Sequence, residues 1–155
     1  MKVLAIDPGD KESGFVIIQP TKDRSLNSKF SLIRHGNIPN FDLLKIITSN
    51  SEGVEVGLIE MIQSYGKPVG ESIFNTCRWI GKFELRMNDN SWRTALVFRK
   101  SIINFHLSSA AVKNPDSLIR KKMMAKYPQE SKGITKHSWQ ALGLASMYLE
   151  SQKLI

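Results

Sequence analysis

Apolar residues fall along the chain in two rhythms. Short runs at 2–6 (KVLAI), 14–19 (GFVIIQ), 54–62 (VEVGLIEMI) and 93–98 (RTALVF) have the length and β-branched content of strands. The stretch 29–35 alternates in the manner of a further strand. Helical spacing covers 41–49, about 71–87, 99–107, 117–126 and about 135–152. In the 71–87 helix, Ile73, Phe74, Cys77, Ile80, Phe83 and Leu85 supply the apolar face. Asn40, Asp116 and Thr135 are the expected helix N-caps. Pro8-Gly9 and the polar stretch 20–28 mark turns, so the first three strands read as an antiparallel meander. The order strand, strand, strand, helix, strand, helix, strand, helices predicts one α/β domain over 1–155 with a mixed five-stranded sheet. No repeat or low-complexity segment interrupts it.

Charge narrows the partners. A net charge of +8 and a pI near 9.7 favour a polyanion, either nucleic acid or an anionic surface. One cysteine, Cys77, excludes an internal disulfide framework and points to a reducing compartment. No apolar run approaches the roughly 20 residues of a membrane helix. The first apolar run meets Asp7 too early for a signal peptide, so a cytoplasmic protein, working where intracellular DNA is, and no membrane partner are expected.

Two acids stand at strand ends: Asp7 after the first strand and Glu60 near the end of the fourth. Open α/β sheets collect ligands at the carboxyl ends of their strands. Two neighbouring carboxylates repel unless a proton or cation lies between them, and magnesium takes oxygen ligands. Each acid alone reads as a solvated turn residue; together they favour a site. His137 opens the last helix, where an imidazole can bind a divalent metal or shuttle a proton. Gln140, one turn on, faces the same way and can orient water or phosphate. The small residues of ALGLA at 141–145 let that helix approach the sheet closely. Asp10 and Glu12 read as solvated turn charges, and Glu71 as a favourable charge at a helix start.

The run Ala5-Ile6-Asp7-Pro8-Gly9 with Gly14 resembles the opening strand and turn of the RuvC Holliday junction resolvases, an RNase H-like family. Leu58-Ile59-Glu60 resembles their second acidic motif. The segment from His137 through Ala145 resembles their C-terminal catalytic helix. Glu60-Met61-Ile62-Gln63-Ser64-Tyr65-Gly66 and Cys77-Arg78-Trp79-Ile80-Gly81 resemble the small phage-type members. The likeness runs in order along nearly the whole chain. It implies an RNase H-like fold and a magnesium- or manganese-dependent endonuclease that cuts branched DNA. Asp7, Glu60 and His137 become the implied metal ligands, with Gln140 beside them in the catalytic set. The implied mechanism sets two metal ions about 3.5–4 Å apart around the scissile phosphate, with Asp7 bridging. One departure stands out. The family usually carries two acids one turn apart on the last helix, and here those positions hold His137 and Gln140.

The basic residues expected to meet DNA phosphates are Lys67, Arg93, Arg99, Lys100, Lys113, Arg120, Lys121 and Lys136. Arg99, Lys100 and Lys113 lie where the resemblance implies cations close to the cut. Lys121 and its neighbour Lys122, taken singly, read rather as a solvated helix face. Tyr65, in the 62–70 loop after Glu60, is a candidate to stack on an unpaired base or to pack within its loop. A four-way junction has two-fold symmetry and suits a two-fold dimer. The 71–87 helix, with Phe74, Trp79 and Phe83 on different sides, is the expected homodimer element. Two other readings stay open: an RNase H or transposase-like nuclease, and a DNA binder that has lost cleavage. A sugar-kinase or actin-like ATPase would need a longer chain and a second glycine-rich phosphate motif.

Overall fold

The computed structural model describes residues 1–21, 28–63, 66–109 and 111–155. Its elements run β1 (Val3–Asp7), β2 (Glu12–Pro20), β3 (Phe30–Pro39), α1 (Asn40–Ser49), β4 (Val56–Met61), α2 (Glu71–Asp89), β5 (Arg93–Phe98), α3 (Arg99–Leu107), α4 (Pro115–Lys126) and α5 (Ser138–Ser151). One sheet has the order β3-β2-β1-β4-β5. The first three strands form the expected antiparallel meander, while β4 runs parallel to β1 and β5 parallel to β4.

Strand periodicity divides the apolar residues between two layers. Val3, Ala5, Val16, Ile18, Val56 and Leu58 face one way and pack under Trp139, Leu142, Ala145 and Leu149 of α5, with Ile102, Ile119 and Met123 behind. Leu4, Ile6, Phe15, Ile17 and Ile59 face the other way, under Leu43 and Ile47 of α1 and Ile80, Phe83 and Met87 of α2. Because β1 is covered on both faces, its sequence is a continuous apolar run rather than an alternation. Burying each large side chain of this kind contributes about 1.5–3 kcal/mol. α5 is buried along 138–146, which explains why it is apolar or small nearly all round. Among the described residues, no helix is long and apolar enough to cross a membrane.

Several local expectations are corrected. Asn40 is the first residue of α1 rather than its cap, and Pro39 holds the cap position. The cap positions of α4 and α5 belong to Asn114 and His137, so neither Asp116 nor Thr135 caps. On α2 the buried stripe is Thr76, Ile80, Phe83 and Met87. Phe74, Leu85 and Cys77 instead point outward, because the sheet and α1 can cover only one side of the helix. β3 continues past residue 35 to Pro39, extending its ladder with β2 down to Glu12.

Candidate active site

Register alone brings the two acids together. Ile6 pairs with Ile59 across the parallel β1–β4 ladder, so the next residues, Asp7 and Glu60, are neighbours at the carboxyl ends of adjacent strands. Both project to the α5 side, with the same parity as Ala5 and Leu58. Gly14 pairs with Asp7 across β1–β2 and shares that face. A side chain there would strike α5, since a Cβ on Gly14 would lie 2.6 Å from both Cβ and O of His137. The glycine thus lets the start of α5 descend onto the sheet beside Asp7. His137 Nδ1 lies 3.0 Å from Asp7 Oδ2. The His137 side chain is 67 % exposed, against 12 % for Asp7.

A buried polar clamp fixes the turn that carries Asp7. Asn40 Nδ2 donates to Gly9 O at 2.9 Å, and its Oδ1 accepts from Ser13 Oγ at 2.6 Å. Gly9 N donates to Ser13 Oγ at 3.2 Å. Asn40, read from sequence as a helix cap, therefore spends its amide on the site's own loop. Its place behind Pro39 concealed this, because the partner is 31 residues away.

Glu60 has a second neighbour besides Asp7. Its Oε1 accepts from Arg99 Nη1 at 2.9 Å, and the other arm of that guanidinium reaches Asp116 Oδ1. Asp116, at the start of α4, is thus a third acid at the edge of the site. It was missed because only tertiary packing links 60, 99 and 116. Among the described residues, no group of three or more His, Cys, Asp or Glu side chains is gathered as a metal cage. Asp7 and His137 are in contact, while Glu60 is engaged by Arg99. Gln140 is buried, and its Nε2 makes a long 3.5 Å approach to Asp116 O.

The electrostatics are those of crowded, desolvated carboxylates. Burial, and then repulsion from Glu60, push the Asp7 pKa up to about 7, against the pull of His137 and Arg99. Burial likewise raises Glu60, with Arg99 opposing. Burial alone would depress Arg99, but the negative charges of Glu60, Asp116 and Asp7 more than offset it. Such a pocket favours an added positive charge. The carboxylates of Asp7 and Glu60 are oxygen donors of the kind magnesium or manganese takes, whereas the His137 imidazole is a donor more typical of zinc or iron.

The expected DNA contacts separate by position. Arg99 is in the site, and Lys100 follows it, exposed, in the first turn of α3. Arg120 lies over the Trp139 ring, 5.6 Å from its centroid. Lys67, Lys113, Lys121 and Lys136 are exposed. Lys136 has a left-handed backbone, φ 46°, immediately before His137. Arg93 is level with Val56, and Val56 with Val3, so it sits at the end of the sheet opposite Asp7. Its Nη2 approaches Met1 Sδ at 3.0 Å. Tyr65 lies outside the described residues.

No protein-family model matches the chain, and no curated protein matches its sequence. Solved structures do match its fold. Thermus thermophilus RuvC in complex with a Holliday junction substrate superposes with a TM-score of 0.76 at 11 % identity, covering 99 % of this chain and 96 % of that one. The fowlpox virus Holliday junction resolvase gives 0.64 at 13 % identity, covering 98 % and 99 %. The yeast mitochondrial Holliday junction resolvase gives 0.64 at 11 % identity, covering 98 % and 80 %. The chain shares the RNase H-like fold of RuvC and of the viral and mitochondrial Holliday junction resolvases.

Proposed function

We propose that the protein is a divalent-metal-dependent endonuclease that hydrolyses phosphodiester bonds in branched DNA, with the four-way junction as its principal substrate. The observation that carries this is the meeting of Asp7 and His137 at 3.0 Å beside Glu60 on the adjacent strand. Two of the similar structures were solved with Holliday junction DNA, which supports the choice of substrate.

Asp7, Glu60 and His137 are the residues that would hold the cation. When bound, magnesium or manganese would polarise the scissile phosphate and acidify a water for attack. Asp7 fixes the His137 ring through Nδ1, leaving Nε2 on the exposed side as the nitrogen that would meet the cation. Arg99 and Lys100 offset phosphate charge near the cut. Lys67, Lys113, Arg120, Lys121 and Lys136 extend the basic surface and make binding salt-dependent. Gln140 orients water or phosphate rather than ligating the metal.

A two-fold dimer would present two such sites to a symmetric junction. Its proposed element is α2, where Phe74 is 59 % exposed, with Leu85 and, on α1, Phe41 also exposed. Phe41 stacks edge-on to Trp79 of α2 at 5.0 Å, so the two helices present a joint apolar surface.

One further reading has its own support. Gln140 in place of an acid, and Glu60 held by Arg99, support a junction binder with weakened cleavage as the second reading. The test is incubation of labelled four-way junction, linear duplex and RNA–DNA hybrid with and without magnesium. Paired symmetric nicks in the junction, only with the ion, support the resolvase. Preferential cutting of the hybrid would assign an RNase H-type enzyme, and tight junction binding without nicks would assign the binder.

A further inference from the structure

The Arg99 guanidinium is shared. Nη1 donates to Glu60 and Nη2 to Asp116, so one cation bridges an acid at the floor of the site and an acid at its rim. Glu60 is largely buried, whereas the Asp116 side chain is 54 % exposed. Asp116 comes from α4, which packs on α5 through Ile119 and Met123. Gln140 of α5 approaches the Asp116 carbonyl. The acid is therefore carried by a helix tied to the same framework as the site.

On the nuclease reading, Glu60 must accept a divalent cation, and a guanidinium already bonded to it competes for the same oxygen. A lone Glu60–Arg99 pair would make release costly, because breaking one partner from a largely buried pair leaves a desolvated charge unpaired. A second carboxylate changes this balance. We infer that Asp116 is a positioning residue: it retains Arg99 at the rim when Glu60 turns to the cation. The arginine then stays beside the site, where its free arm can meet a phosphate. Asp116 acts through Arg99 and is not itself a metal ligand. This rests on the proposed nuclease reading.

Three variants and manganese binding, measured by calorimetry or by loss of the free-ion resonance signal, test it without cleavage. Asp116→Asn, an isosteric change at an exposed position, is expected to weaken manganese binding about twofold to fivefold, with restoration by Asp116→Glu. Arg99→Gln is expected to tighten binding, since the competitor is gone. The double variant Arg99→Gln/Asp116→Asn is expected to bind like Arg99→Gln alone. An Asp116→Asn loss that persists undiminished in the Arg99→Gln background would overturn the inference, because Asp116 would then act on the ion directly. So would unchanged affinity in Asp116→Asn. Asp7→Asn separates the two levels. If wild-type protein binds no manganese that Asp7→Asn abolishes, the nuclease reading fails and this inference with it. If that binding is present but indifferent to Asp116, only the inference fails.

Discussion

His137 stands where a side chain on residue 14 would have to go. A Cβ on Gly14 would come within 2.6 Å of the His137 Cβ and O, so a single missing methyl group sets how deeply α5 seats over Asp7. Gly14→Ala must lift the start of that helix or bend β2. The expected cost is about 1–3 kcal/mol of stability, in the range of overpacking, together with loss of junction cleavage as His137 leaves Asp7. Thermal melts and junction cleavage assays would check the two effects. Normal activity in a stably folded variant would show that the close seating is dispensable.

Asp7 should weaken the folded state at neutral pH. Its folded pKa is raised to about 7 from an ordinary value of 3.8, so its contribution is fully favourable below the ordinary value and is lost as pH rises through 7. In chelator at pH 8, Asp7→Asn is expected to be more stable than wild type by on the order of 1–3 kcal/mol. The difference should close near pH 4. Urea denaturation at the two pH values measures it. The same variant, and Glu60→Gln, should lose cleavage while retaining junction binding.

The opposite slope belongs to His106. It is buried, with Nε2 2.7 Å from Gly143 O, and burial lowers its pKa. The unfolded chain takes up the proton first on acidification. This group therefore supports stability above about pH 6.5, and that support is lost as pH falls through its lower folded value. His106→Gln should flatten the acid side of the stability profile between pH 7 and 5. An unchanged acid limb would mean that other groups set it.

Gln140→Asp is expected to keep or raise cleavage, since it restores the acid common in the resembled family. A further carboxylate in a buried position adds desolvation and repulsion. The variant should consequently melt lower than wild type in chelator and recover when magnesium is added. A variant that magnesium fails to stabilise would show that position 140 does not face the ion pocket.

Phe74→Glu tests the dimer. The side chain lies on the outer face of α2, so a charge there should leave the monomer fold intact while splitting the proposed dimer. Light scattering after size exclusion would show the mass halved, and paired nicks in the junction should give way to single ones. A wild-type mass of one chain would overturn the proposed dimer, and a dimeric mass unchanged in the variant would remove α2 from its interface.

Much of this architecture is legible in residue order, because apolar period and turn chemistry are local properties. KVLAI, GFVIIQ and RTALVF are strands where their patterns place them, and Asp7 and Glu60 become neighbours once β1 and β4 are paired in parallel. What escaped was set by distant partners. Asn40 and Asp116 have the composition and position of caps, and only tertiary packing redirects them to Gly9 and to Arg99. Arg93 and Arg99 flank the fifth strand, and the resemblance sets only Arg99 close to the cut. Strand direction places one at each end of β5.

α5 supplies a large share of one hydrophobic layer and, through His137, one wall of the acidic cleft. One element therefore carries two tasks. On the nuclease reading, a change that unseats α5 uncovers one face of the sheet and disarms the cut together, so neither loss can be produced by loosening that helix without the other.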